Sequence, residues 1–136
     1  MVRKIIIGIR FNKISGEKNK VENVGEISVT STPTIKNVEK KEIELFGEGV
    51  ISIEFEFNTK YEPNIGHIKI EGEVLAKYEN SEEILKEWKK KKSLPEDVTI
   101  QITNAIFKKC LTKIIGISED LQLPPPIIFP TVTKRK

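Results

Sequence analysis

Apolar and polar residues alternate with period two through the first half of the chain and switch to helical spacing beyond residue 80. From Lys4 to Ile14, Ile5, Ile7, Ile9 and Phe11 alternate with Ile6, Gly8, Arg10 and Asn12, the signature of a strand with one buried face. Gly16 and the polar stretch Glu17 to Lys20 break it, and a second strand is expected over Glu26 to Thr32, with Ile27 and Val29 opposite Ser28 and Thr30. Pro33 cannot donate to a sheet ladder, so it marks a kink, bulge or edge position. A short alternation at Ile43 and Leu45 extends the pairing until Gly47 and Gly49. The clearest strand is Val50 to Asn58, where Ile51, Ile53, Phe55 and Phe57 face one way and Ser52, Glu54 and Glu56 the other. A turn-rich break, Asn58 to Gly66, leads to Ile68, Ile70, Gly72 and Val74 against His67, Lys69, Glu71 and Glu73. These two runs predict an antiparallel hairpin with a long connection. Gly72 falls on the apolar face, which suggests a bulge or the close approach of a packed helix.

The helical part opens at Ser81, a capping hydroxyl followed by Glu82 and Glu83. Ile84, Leu85 and Trp88 form the apolar side of this short helix, Lys89 to Lys92 suit the negative end of its dipole, and Pro95 closes it off. A long helix is expected from about Glu96 to Ile117, with two apolar rows at a spacing of four, Ile102, Ile106, Cys110, Ile114 and Phe107, Leu111, Ile115. Together they make a stripe wider than one small sheet needs for cover. Leu121, Leu123, Pro124, Pro125, Pro126, Ile127, Ile128, Phe129 and Pro130 predict an extended apolar tail, because consecutive prolines lack amide donors and fix φ. The expectation is one α+β domain over residues 1–136, with a four-stranded antiparallel sheet in 1–78, helices in 81–117 on one sheet face, and a Pro-rich tail in 118–136.

Composition narrows the classes of function. With 136 residues, 38% of them hydrophobic and 32% charged, the chain can bury a core without disulfides or metals. A net charge of +3 with interleaved signs gives no field of the kind that draws nucleic acid. The lysines at 89–92 and the terminal TKRK have no interleaved aromatic residues for base stacking, so no nucleic-acid partner is expected. The single cysteine, Cys110, excludes an internal disulfide and fits a reducing, cytoplasmic setting. Arg10 cuts the N-terminal apolar run short of a signal peptide's core, and no stretch reaches membrane-spanning length.

Candidate chemistry is sparse. His67 is the only histidine and is expected on a wet face; Cys110, among apolar neighbours, is expected to be inert. Glu54, Glu56, Glu71 and Glu73 meet across the hairpin but are interleaved with lysines, which reads as a solvated face. SGEKNK lacks the spacing of a phosphate-binding loop. No catalytic residue, metal site or cofactor is therefore expected. The positive signal is apolar. Each fully buried Leu, Ile or Phe is worth about 1.5–3 kcal/mol, so several left uncovered point to a partner.

The order of elements, together with LPEDVTIQITNAIFKKCLTKIIGISEDLQLPPPIIF near the C-terminus, resembles the SecB family of tetrameric chaperones, which hold unfolded preproteins. The matching positions are Pro95, Cys110, Leu121, Leu123 and Pro125. The resemblance implies a homo-oligomer, a dimer or a dimer of dimers, with the long helices at the subunit interface (Ile106, Phe107, Cys110, Leu111, Ile114, Ile115). It also implies a polypeptide-binding groove walled by Trp88, Leu121, Leu123, Pro125, Ile127 and Phe129. The resemblance is to a divergent, archaeal-type member: unlike the strongly acidic bacterial members that dock the SecA motor, this chain is slightly basic, and no docking residue is carried over. Two readings stay open: a chaperone that binds unfolded or nascent polypeptide, and an interaction protein whose apolar surface serves only self-assembly or one dedicated protein partner.

Overall fold

The structure, a computed structural model, describes residues 4–20 and 25–126. Four strands, β1 (Lys4–Lys18), β2 (Ser28–Lys40), β3 (Val50–Glu62) and β4 (Gly66–Tyr78), precede two helices, α1 (Ser81–Lys91) and α2 (Glu96–Asp120). The strands form one antiparallel sheet in the order β1-β4-β3-β2. The most strongly alternating pair, β3 and β4, is central because its apolar faces bury best: Ile51, Ile53, Phe55 and Phe57 lie beside Ile68, Ile70 and Val74 in one buried cluster, to which both helices add side chains. The architecture is α+β with the helices over one sheet face, as the hydrophobic pattern predicts.

Several boundaries differ from the sequence reading. β3 and β4 run further than expected and are joined by only Pro63, Asn64 and Ile65, with Asn64 in the left-handed region and the Ile65 amide donating to the Tyr61 carbonyl. Ladder pairing with both neighbours carries Asn58 to Tyr61 into β3, and pairing with β2 adds Glu62, overriding their turn propensity. β2 continues through Pro33 to Lys40, which an edge strand allows. Ile43 to Phe46 does not extend the sheet: residues Glu44–Phe46 form a 3-10 turn closed by an Ile43–Gly47 bridge, with Leu45 85% exposed. At α1 the cap position is Asn80 rather than Ser81, and it makes no side-chain capping bond.

The regular alternation expected in β1 is broken by two bulges, between Ile6 and Gly8 and between Phe11 and Lys13. A bulge adds one residue and flips the side chains that follow. Ile6, Ile9, Phe11 and Ile14 therefore share the register of Ala76, Val74, Gly72 and Ile70 on the helix-covered face. Gly72 is required by β1 itself: a Cβ there would collide with the Arg10 carbonyl oxygen and touch the Phe55 ring. The close approach at this glycine comes from a strand backbone, not from a helix.

Candidate functional site

α2 buries one row completely. Val98, Ile102, Ile106, Cys110, Ile114 and Ser118, each four residues after the last, face the sheet. Ile106, Cys110 and Ile114 thus have no surface left for another chain, while Phe107, Leu111 and Ile115 on the adjoining row are half-buried. Phe107 sets its ring edge-on to Phe57 of β3, with centroids 5.3 Å apart. Burial pushes the Cys110 thiol up to about 12, so it stays protonated and unreactive.

The residues expected to wall a groove are dispersed. Trp88 and Leu123 are buried in the core cluster; Leu121 is half-buried, with its side chain against Gly16; Pro125 is exposed. Ile127 and Phe129 lie outside the described residues. The start of the tail is held down rather than open: the Leu123 amide donates to the Ser118 carbonyl (2.8 Å), and the Tyr61 hydroxyl donates to the Pro124 carbonyl (2.7 Å).

An apolar surface that remains open among the described residues lies between β1 and α2. There a groove of about 760 Å³ has Ile9, Phe11 and Ile14 of β1 on one wall and Ala105 of α2 on the other, rimmed by Lys108, Lys109 and Lys113. Ile14 is 42% exposed. β1 is an edge strand, so one side of its backbone is unpaired within the sheet. Sequence reading missed this groove because an unbroken alternation assigns Ile14, and the faces on either side of each bulge, incorrectly.

The opposite sheet face carries the carboxylates. Glu54 lies opposite Glu73 and Glu56 opposite Glu71, the proximity expected from the pattern. Glu73, 6% exposed, accepts hydrogen bonds from Arg10 and from the Ser52 hydroxyl (2.6 Å). Glu56 is ion-paired with Lys36 at 3.1 Å and Lys69 at 3.4 Å. The Lys36 hydrogen bond, chiefly, holds its carboxyl below the ordinary range against the opposing effect of desolvation. His67 is on this face, paired with Glu17 across the β1–β4 ladder. Held low in this way, the Glu56 carboxyl stays ionised. Among the described residues no group of three His, Cys, Asp or Glu side chains is placed to hold a metal, and no helix is long and apolar enough to cross a membrane.

An antiparallel β1-β4-β3-β2 sheet with a short and a long helix on one face is a SecB-like fold. Its likeness to the SecB-like chaperone of Mycobacterium tuberculosis, solved in complex with a ChAD peptide from the HigA1 antitoxin, has a TM-score of 0.62 at 10% sequence identity and covers 98% of this chain and 94% of that one. No protein-family model matches the sequence, and no curated protein does. The likeness is one of fold.

Proposed function

We propose that this chain is a non-enzymatic, chaperone-like protein, a divergent relative of the SecB-like chaperones, that binds unfolded or partly folded polypeptide. The observation that carries the reading is the β1–α2 groove: an apolar floor left open although, among the described residues, most large apolar side chains pack into one core. Affinity there comes from burying apolar client side chains, without a cofactor, in a reducing cytoplasmic setting. The structural neighbour's complex with an antitoxin peptide supports a polypeptide partner as the class of ligand. Stoichiometric protein should delay the aggregation of several chemically unfolded clients, and Ile14→Asp should abolish that protection while the protein stays folded. Unchanged client aggregation in the presence of the wild-type protein would sink the reading.

A second reading is favoured by the half-buried row Phe107, Leu111 and Ile115, which is the part of the expected helical interface that keeps surface. In it this row meets another copy of the chain, giving a dimer or a dimer of dimers. Leu111→Asp should then lower the sedimentation coefficient; a monomeric wild type would remove this reading.

A further inference from the structure

The two helices differ in how their buried polar atoms are satisfied. On α2 the Ser118 hydroxyl, in a residue 1% exposed, donates to the Ile115 carbonyl (2.8 Å), and Gln101 accepts from the Tyr78 hydroxyl (2.8 Å). On α1 the opposite holds. Among the described residues three buried side-chain polar atoms have no hydrogen-bond partner, Asn80 Oδ1, Glu87 Oε2 and Trp88 Nε1, and all three belong to α1 or its cap. Asn80, Ile84, Glu87 and Trp88 stand at helical spacings of three and four, so these atoms lie along the stripe that Ile84 and Trp88 turn to the sheet. Each has lost water without gaining a protein partner, and each therefore opposes the closed position of the helix.

What holds α1 in place is small by comparison. Its buried residues are Ile84 and Trp88, against six on α2, and it packs chiefly on the edge strand β2, whereas α2 lies across β1, β2 and β4. The C-terminal end has two ties: the Lys92 amide donates to the Trp88 carbonyl (2.8 Å), and Lys92 Nζ stands 5.6 Å from the centroid of the Trp88 ring. They are made with Lys92 at φ +53, a left-handed conformation that costs a residue carrying a Cβ. At the other end the cap residue Asn80 makes no side-chain bond.

We propose that α1 is a detachable cover, which lifts from β2 as one unit while the four strands and α2 stay folded, exposing Ile84, Trp88 and the strip of β2 beneath them. Opening hydrates the three unpartnered atoms together, so it costs less than opening α2, which uncovers six buried residues whose polar groups are already satisfied. α1 takes no part in the β1–α2 groove, and its opening is measurable without a client.

Trp88 is the only tryptophan and reports the opening directly. In a denaturant titration of the full chain its fluorescence should reach that of an exposed indole before far-ultraviolet circular dichroism, which follows the sheet and α2, is lost. Native-state hydrogen exchange should show the amides of Leu85 to Lys91 exchanging at least about a hundredfold faster than those of Ile102 to Ile114, because three unpartnered groups separate the two openings. Asn80→Ala combined with Glu87→Met identifies the cause. Loss of an ordinary Asn cap loosens a helix; here, removal of two unpartnered atoms should slow exchange in α1 about tenfold and leave α2 unchanged. Exchange in α1 that is unchanged or faster in this variant overturns the proposal, since those side chains are then neutral or hold the helix down. Coincident fluorescence and dichroism transitions, or equal protection of α1 and α2, overturn it on the wild-type protein alone: α1 is then part of one cooperative unit, with the three atoms satisfied by ordered water.

Discussion

The two edges of the sheet are built from similar lengths of chain yet finished differently. β2 is packed against by both α1 and α2, buries Val38, carries Pro33, and has Lys36 tied across to Glu56. β1 is packed against by α2, has no fully buried side chain among its described residues, and leaves Ile14 exposed above a groove. A proline in an edge strand withholds a donor from any incoming strand, and a covering helix removes the apolar surface. The β2 side is thus closed by its own chain, and the β1 side depends on something else for cover. That difference places the proposed client site on β1, although β2 and the tail carry the more conspicuous sequence features.

The comparison can be broken most severely through the row that serves both sides. Ile106→Ala removes a fully buried side chain beneath α2 and should cost about 2–5 kcal/mol in denaturant unfolding, loosening the two edges together. Gly72→Ala acts on one side: the new methyl collides with the β1 backbone and should cost about 1–3 kcal/mol. Hydrogen exchange should then speed up in β1 before β2; equal acceleration would mean that β1 is no more independent than β2. Ile14→Asp sharpens the contrast further, since at 42% exposure it should cost less than about 1.5 kcal/mol yet remove client protection.

The pH effects are smaller. Burial raises the Tyr78 hydroxyl and the Cys110 thiol each to about 12, with Asp97 adding to the shift at Tyr78. Acids with raised folded values stabilise fully below their unfolded values, 10.0 and 9.0, and that stability is lost as pH rises towards 12. The melting temperature should therefore fall from about pH 9 upwards, and by less in Cys110→Ala relative to its own neutral value. Glu56 has the opposite sign. Its lowered value gives β2 a stabilisation present above 4.5 and lost on acidification, so β2 amides should exchange faster below that pH, an effect absent in Glu56→Gln.

Much of the fold was legible because burial imposes periodicity. The alternation in Val50 to Asn58 identified the central strand, and the spacing of Ile102, Ile106, Cys110 and Ile114 identified the buried row of α2. The candidate site was much less legible. Trp88 and Leu123 are apolar and near the C-terminal elements, which suits a groove wall and a core position equally well; the structure puts them in the core. Phe107 and Ile106 are sequence neighbours with the same hydrophobicity, and only the direction of α2 across β3 decides that one is fully covered and the other half so.

The sequence by itself determined the class of the fold, the inert environment of Cys110, and an excess of apolar surface. Side-chain type and spacing suffice for these, since each is a local property. Which apolar surface stays open was decided by tertiary structure alone. The bulge after Phe11 turns Ile14 onto the face of Ile9 and Phe11, the antiparallel order puts β1 at an edge, and α2 lies so that its lysines border that edge. A bulge leaves no mark in hydrophobic pattern beyond a one-residue slip, and an edge exists only once strands distant in sequence have chosen their neighbours.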